Sequence, residues 1–491
     1  MNAVNVLLIS LAGLAALFLA VILVRAALFV PKNDARSEAS GDVADMGAET
    51  KFDRAAVAER LARMIRVPTV SNRDESLVDR PKFAEFRALL ETLYPLVTER
   101  CPREDIGTSG IVYRWKGKSA DGPTVLMAHY DVVPATNEGW EHLPFSGDVD
   151  AQGTLWGRGA IDTKITVCGI LEAAEKRIAE GFVPERDIWI AFSGDEEIMG
   201  PTAPAVVDWL DSKGVRPALV LDEGGAVVAN VFPGVKEKCA VIGITEKGMM
   251  DVEFSVRSPG GHASTPPVRQ PVATLARAIG RVNARPFPAR LTPAARSMFD
   301  TLGRISSFAY KILFANLWCF LPLLKKICAL SGGELNALMR TTCCFTVLEG
   351  GPAYNVMPAV AKAGANLRIL QGETMETAFA RLRRTINDPR VEMRKVYGFD
   401  PSPVANLAGS GWSSVERSVR STWTEAIVSP YLMVACTDSR HYGRICDTVL
   451  RFSAMELTKE ERATMHAKNE RIPSEKIPAT CAFFYRLIGM S

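Results

Sequence analysis

Thr124–Tyr130 (TVLMAHY) is an apolar, β-branched run of strand length that carries His129 near its end and is followed at once by Asp131. Two more runs of strand length follow, Asp187–Ser193 (DIWIAFS) and Pro217–Asp222 (PALVLD), and each leads into acidic residues. Between them, Thr163–Ala179 and Thr202–Lys213 carry the spacing of amphipathic helices. This alternation predicts βαβ units around a mainly parallel central sheet, so the fold class is α/β. Ligands of such sheets bind at the carboxyl ends of the strands. His129, Asp131, Glu196, Glu197 and Asp222 all stand at those ends, which gathers one imidazole and several carboxylates at one edge. That donor set suits a divalent metal.

The 491 residues suffice for a large core in two domains plus a tail. A net charge of +3 and the absence of a basic, aromatic-studded stripe give no reason to expect nucleic acid as a partner. The ten cysteines are scattered without a CxxC pair and are expected to be free thiols.

Asn5–Val24 (NVLLISLAGLAALFLAVILV) is 20 residues without a charge, enough to cross a hydrocarbon core. No Lys or Arg precedes it and it is long for a signal peptide, so residues 1–30 are expected to form a single-pass membrane anchor. Arg25, Lys32 and Arg36 lie downstream and favour a cytoplasmic body, although orientation stays open. Residues 31–50 are polar and rich in small side chains, as in a flexible stalk. The catalytic domain is then expected over 51–244 and 404–491. Between them lies an α+β lid or dimerisation domain at 245–403, itself carrying an apolar insertion near 290–340. Within that insertion Ile312–Leu324 (ILFANLWCFLPLL) is too short to span a membrane. It is either a buried helix pair or a hydrophobic surface for the bilayer or a lipophilic substrate.

Eight motifs in order give the chain a resemblance to the M20 family of metallopeptidases, in its carboxypeptidase S and PM20D1-like branch. They are MAHYDVVP (Met127–Pro134), WGRGAIDTK (Trp156–Lys164), SGDEEIMG (Ser193–Gly200), LDEGG (Leu221–Gly225), GGHAS (Gly260–Ser264), YNVMP (Tyr354–Pro358), TDSRHY (Thr437–Tyr442) and MHAKNERI (Met465–Ile472). The resemblance implies two zinc ions per subunit. Asp162 would bridge them, His129 and Asp222 would be terminal ligands of one, and Glu197 and His466 those of the other. Glu196 would be the general base and Asp131 the partner that orients His129. His262 would stabilise the oxyanion from the lid of a partner subunit, which implies a homodimer through the lid. Asn355, Arg368 and His441 are candidate substrate contacts. In the family's last motif, commonly HGxNE, this chain has Ala467 in place of the glycine.

Elementary chemistry is compatible with those roles. A bridging ligand needs two oxygens, and adjacent glutamates divide naturally into one ligand and one base. Each residue also has a plainer reading: Asp162 as a helix N-cap, and Glu196–Glu197 as a solvated first helical turn. The expected reaction is hydrolysis of an amide bond beside an amino acid with a free carboxylate, carboxypeptidase-like on short peptides. The alternative is hydrolysis or synthesis of N-acyl amino acids. A non-catalytic metal-binding protein on the same fold is the competing class.

Overall fold

The computed structural model describes residues 2–31, 51–231 and 234–491. The expected stalk therefore lies, apart from Pro31, outside the described residues. In chain order the strands are β1 Arg103–Ile106, β2 Gly110–Trp115, β3 Ser119–His129, β4 Thr154–Trp156, β5 Arg186–Ser193, β6 Leu219–Val228, β7 Cys239–Glu246 and β8 Gly248–Arg257. They continue as β9 Gly261–His262, β10 Thr342–Glu349, β11 Val356–Met357, β12 Val360–Ile369, β13 Glu392–Phe399, β14 Ile427–Met433, β15 Val449–Glu456 and β16 Arg471–Pro473.

Eight strands form the large sheet, in the order β1-β2-β5-β3-β6-β15-β7-β14. Its centre is parallel: β3 runs with β5 on one side and with β6 on the other, and β6 runs with β15. The expectation of a mainly parallel sheet needs correction at its margins. β1, β2 and β5 are joined antiparallel, and β7 pairs antiparallel with β6 and β15, so the sheet is mixed. The central strands are buried on both faces, with β5 interior from Asp187 to Ser193, which is why they read as unbroken apolar runs. Helices Lys164–Ala179 and Thr202–Ser212 link these strands as the periodicity predicts.

The second sheet is antiparallel, in the order β10-β12-β8-β13. Along β12 buried and half-buried residues alternate strictly, so one face is core and the other is open. Helices Pro271–Ala284 and Met375–Ile386 cover the core face with Leu275, Ala278, Val282, Leu382 and Ile386. β7 ends at Glu246 and β8 begins at Gly248, so the chain passes from one sheet to the other at the buried Lys247. The Lys247 ammonium donates to the carbonyls of Ala337 and Arg340, and burial lowers its pKa to about 7.

The apolar insertion does not pack into the core of the second sheet. Ala294, Met298, Phe299 and Leu302 of helix Pro293–Ile305 join the core of the large sheet, together with Phe314, Leu324 and Met339. All ten cysteines are free. Among the described residues one helix, Ala3–Leu28, is long and apolar enough to cross a membrane by itself.

Candidate metal centre

β3 delivers His129 as its last residue, and the parallel register sets it beside Ser193 at the end of β5. The turn after β5 is a short 3-10 helix, Glu196–Ile198, which presents the two glutamates. Asp131, fully buried, holds this turn in place. Its Oδ1 accepts from the Glu196 amide and its Oδ2 from the Glu197 amide, each at 3.1 Å, while the Ser71 hydroxyl donates to Oδ2 at 2.6 Å. The His129 Nδ1 lies 3.0 Å from the main-chain oxygen of Asp131 and 3.4 Å from its Oδ1. A proton on Nδ1 satisfies those oxygens and leaves the Nε2 lone pair for a ligand on the other side.

Nε2 faces carboxylates, lying 3.1 Å from Asp162 Oδ1 and 3.4 Å from Glu223 Oε1. The other oxygen of Asp162, Oδ2, is 2.8 Å from His466 Nε2, which in turn is 3.1 Å from Glu197 Oε1. Two three-residue groups thus share one carboxylate: His129, Asp162 and Glu223; and Asp162, Glu197 and His466. In each group the donor atoms lie within 4.8 Å of one another. Both are nitrogen and oxygen sets of the kind that divalent zinc accepts, and each Asp162 oxygen serves a different set, so the residues fit a pair of ions. Asp162 is not a helix cap, because the N-cap of Lys164–Ala179 is Thr163.

The electrostatics follow from crowding carboxylates in the interior. Burial alone would raise the Asp162 carboxyl, but hydrogen bonds to His129 and His466 hold it below the usual carboxylate range. Contacts with Asp162 and Glu197 push His466 up to about 10. Burial lifts Glu223 to about 8 and raises Glu196 well above the carboxylate range. The charge of His129 opposes that rise, whereas Glu223, Asp438 and Glu197 add to it.

The expectation for Asp222 requires correction. Its carboxylate turns away from the cluster and accepts from the amides of Glu223 and Ser439, both at 2.9 Å. The pairing of β6 with β15 shifts register between Asp222 and Gly225, and the carboxylate that this irregular stretch sets against His129 is Glu223. Asp438 was also unanticipated. It is buried beside Arg440, whose Nη1 lies 3.8 Å from its Oδ1, and burial raises it to about 7 while that cation opposes the rise.

His466 arrives on the loop before β16, with left-handed backbone at His466 (φ 58°) and Asn469 (φ 63°) and not at Ala467. The alanine in the HAKNE motif therefore occupies a position that needs no glycine. Glu470, fully buried, accepts from the amides of Ile161 (2.8 Å) and Asp162 (3.1 Å) through Oε1. Its Oε2 receives Arg158 at 2.7 Å. Removing one partner from such a buried pair typically costs about 3–5 kcal/mol. Arg158→Met is expected to lose roughly that stability in thermal or urea unfolding, and adding Glu470→Gln should recover part of it. A loss no larger in Arg158→Met than in an exposed arginine variant would show that the pair is not a structural prop.

The remaining candidates do not join the cluster. Arg368 lies on the open face of β12 and reaches Cys436 Sγ at 3.0 Å, two residues from Asp438. His262 and Asn355 meet on the β9–β11 ribbon, where His262 pairs with Val356 and the Asn355 carbonyl accepts from Ala263. Both are exposed, and the His262 Nδ1 sits 2.7 Å from the Ser264 hydroxyl. His441, in the turn Asp438–Arg444, has a buried Nε2 without a protein partner, and burial with Arg440 and Arg444 lowers it to about 4.

Comparison with known proteins follows the same lines. Residues 125–489 match the model of peptidase family M20/M25/M40. The N-fatty-acyl-amino acid synthase/hydrolase PM20D1 of Xenopus tropicalis is 35% identical over 445 residues, 89% of this chain and 86% of that protein. The probable carboxypeptidase S-like 2 of Dictyostelium discoideum is 33% identical over 440 residues, 88% of this chain and 84% of that one. Among solved structures, the M20 family metallo-carboxypeptidase Sso-CP2 of Sulfolobus solfataricus superposes with a TM-score of 0.65 at 18% identity, covering 90% of this chain and 99% of that one.

Proposed function

The chain belongs to peptidase family M20, whose members are metal-dependent hydrolases, and from that premise we propose that it is a zinc-dependent amidohydrolase acting beside an amino acid with a free carboxylate. The observation that carries this reading is the pair of donor sets meeting at Asp162. His129, Asp162 and Glu223 would hold one ion; Asp162, Glu197 and His466 the other. When bound, such a pair supplies Lewis acidity that polarises a carbonyl and acidifies water.

The chain's own groups do the rest. Glu196 takes a proton from the attacking water and returns it to the departing amine nitrogen. Asp131 keeps both glutamates and the His129 ring in register through the contacts described above. Arg368 offers a planar fork that can pair with the substrate carboxylate in a bidentate way. Short peptides suit this arrangement, as the carboxypeptidase S-like relative suggests. N-acyl amino acids are the second reading, favoured by the PM20D1 relatives. Full-length protein with zinc, assayed on dipeptides and on N-acyl amino acids of increasing acyl length, separates them by kcat/KM. Turnover of neither class would overturn the proposal.

His262 is proposed to act in the cleft of a partner subunit, because its exposed ribbon makes no hydrogen bond to the cluster of its own chain. Oxyanion donors are worth about 2.7–4 kcal/mol, so His262→Ala should lower kcat by about 100-fold or more. Mixing His262→Ala with Glu196→Gln under conditions of subunit exchange should restore part of the activity. A fully active monomer at high dilution would end the trans assignment. The N-terminal helix is proposed to be a membrane anchor, since its apolar surface is almost wholly exposed.

A further inference from the structure

The N-terminal helix does not stand clear of the enzyme. Ile22 and Ala26 are buried against the body. The Asn316 amide donates to the Ile22 carbonyl at 3.1 Å, and Arg25 donates to the Ala315 carbonyl at 2.9 Å and to Asn316 Oδ1 at 3.1 Å. Arg304 donates to the Val30 carbonyl and stacks its guanidinium 4.4 Å from the centre of the Phe29 ring. These polar contacts fix the C-terminal end of the helix to one place on the body.

That place is the corner of two short helices, Phe308–Ala315 and Leu317–Ser331, bent by 113° about Asn316. Part of this elbow is core: Phe314 is buried and stacks on Phe299. The rest is exposed and apolar, with Phe308, Trp318, Leu323, Ile327 and Leu330 each open to solvent by 40% or more. Trp318, 60% exposed, meets Phe18 of the N-terminal helix edge to face at 5.8 Å. Phe18 lies six residues before Val24, the end of the uncharged run, or about 9 Å along the axis. A membrane crossed by the N-terminal helix must therefore take in Trp318 as well.

We propose, on the anchor reading given above, that this elbow is a second membrane-seated element that lies in the headgroup–acyl boundary beside the N-terminal helix. The depth agrees with the about 5–10 Å to which interfacial helices sink. The charges agree too. Lys311, Lys325 and the exposed Lys326 flank the apolar stretch with no acid between Asp300 and Glu334, so long cationic side chains border the buried surface and can reach anionic headgroups. An aromatic residue at that level is the usual occupant of a membrane interface. The elbow fixes how the enzyme sits: two elements held by the Arg25–Asn316 contacts allow one tilt on the bilayer, where a lone helix would allow many.

Full-length protein reconstituted in phosphatidylcholine–phosphatidylserine vesicles tests this. Brominated lipids should quench a tryptophan component that disappears in Trp318→Phe. Leu323→Glu with Ile327→Glu, both surface changes, should reduce that component at least about twofold while hydrolysis of a soluble substrate and the melting temperature stay unchanged. Resistance to carbonate extraction reports the anchor independently. Protein that resists extraction while Trp318 is quenched by aqueous acrylamide and not by lipid overturns the elbow alone. Protein that carbonate releases overturns the anchor and the elbow together. A Trp318 shielded from both quenchers in a dimeric chain would mean that the surface meets a second copy, and would also overturn the proposal.

Discussion

Replacing Glu196 with glutamine is expected to lower kcat by at least about 100-fold while both metals stay bound. The change keeps the side-chain shape and the amide that donates to Asp131, and it removes only the basic oxygen. General acid–base groups contribute about 10²–10⁴-fold, which sets the floor. Its neighbour should behave differently. Glu197 places Oε1 against His466, so Glu197→Gln should weaken one ion and restore activity in part when zinc is raised. Elemental analysis beside kcat separates the two: full metal with lost turnover for Glu196→Gln, and lost metal for Glu197→Gln. Metal lost from the Glu196 variant alone would exchange the two roles.

Those roles divide along a line that the sequence shows only in part. The strand-end positions of His129, Asp131, Glu196 and Glu197 were legible because apolar runs of strand length stop immediately before them. The central parallel order was legible for the same reason. The phase of the pleat was not. β6 is buried at both Leu221 and Asp222, so no alternation marks which side of the strand each residue takes, and Asp222 could not be told from Glu223. Nor could spacing reveal that Glu470 supports the backbone of Asp162 from 308 residues away. That contact depends on the last loop folding back over the first domain, with β16 pairing to β4. The insertion is apolar by composition, and composition does not say which core it joins. Phe314 and Leu324 pack with the large sheet because helix Pro293–Ile305 lies against β14, a tertiary fact with no local signal.

The exchange of Asp222 for Glu223 has a direct consequence for metal binding. Glu223→Ala removes a carboxylate 3.4 Å from His129 Nε2 and leaves that set with His129 and Asp162 alone. The protein should then bind one ion per chain in place of two, the survivor held by Asp162, Glu197 and His466, and lose its hydrolytic activity. Asp222→Asn acts through backbone. Its two oxygens hold the amides of Glu223 and Ser439, and an amide side chain can accept only one of those bonds well. The expected result is the cost of a lost supporting partner, about 10–100-fold in metal affinity, with two ions still bound at saturating zinc. Titration of apo-protein with zinc, read by calorimetry and by elemental analysis after gel filtration, gives both stoichiometry and affinity. One ion in Asp222→Asn with two in Glu223→Ala would return the ligand to Asp222. It would also mean that the irregular stretch of β6 rearranges when metal enters, because here it is Glu223 that approaches His129.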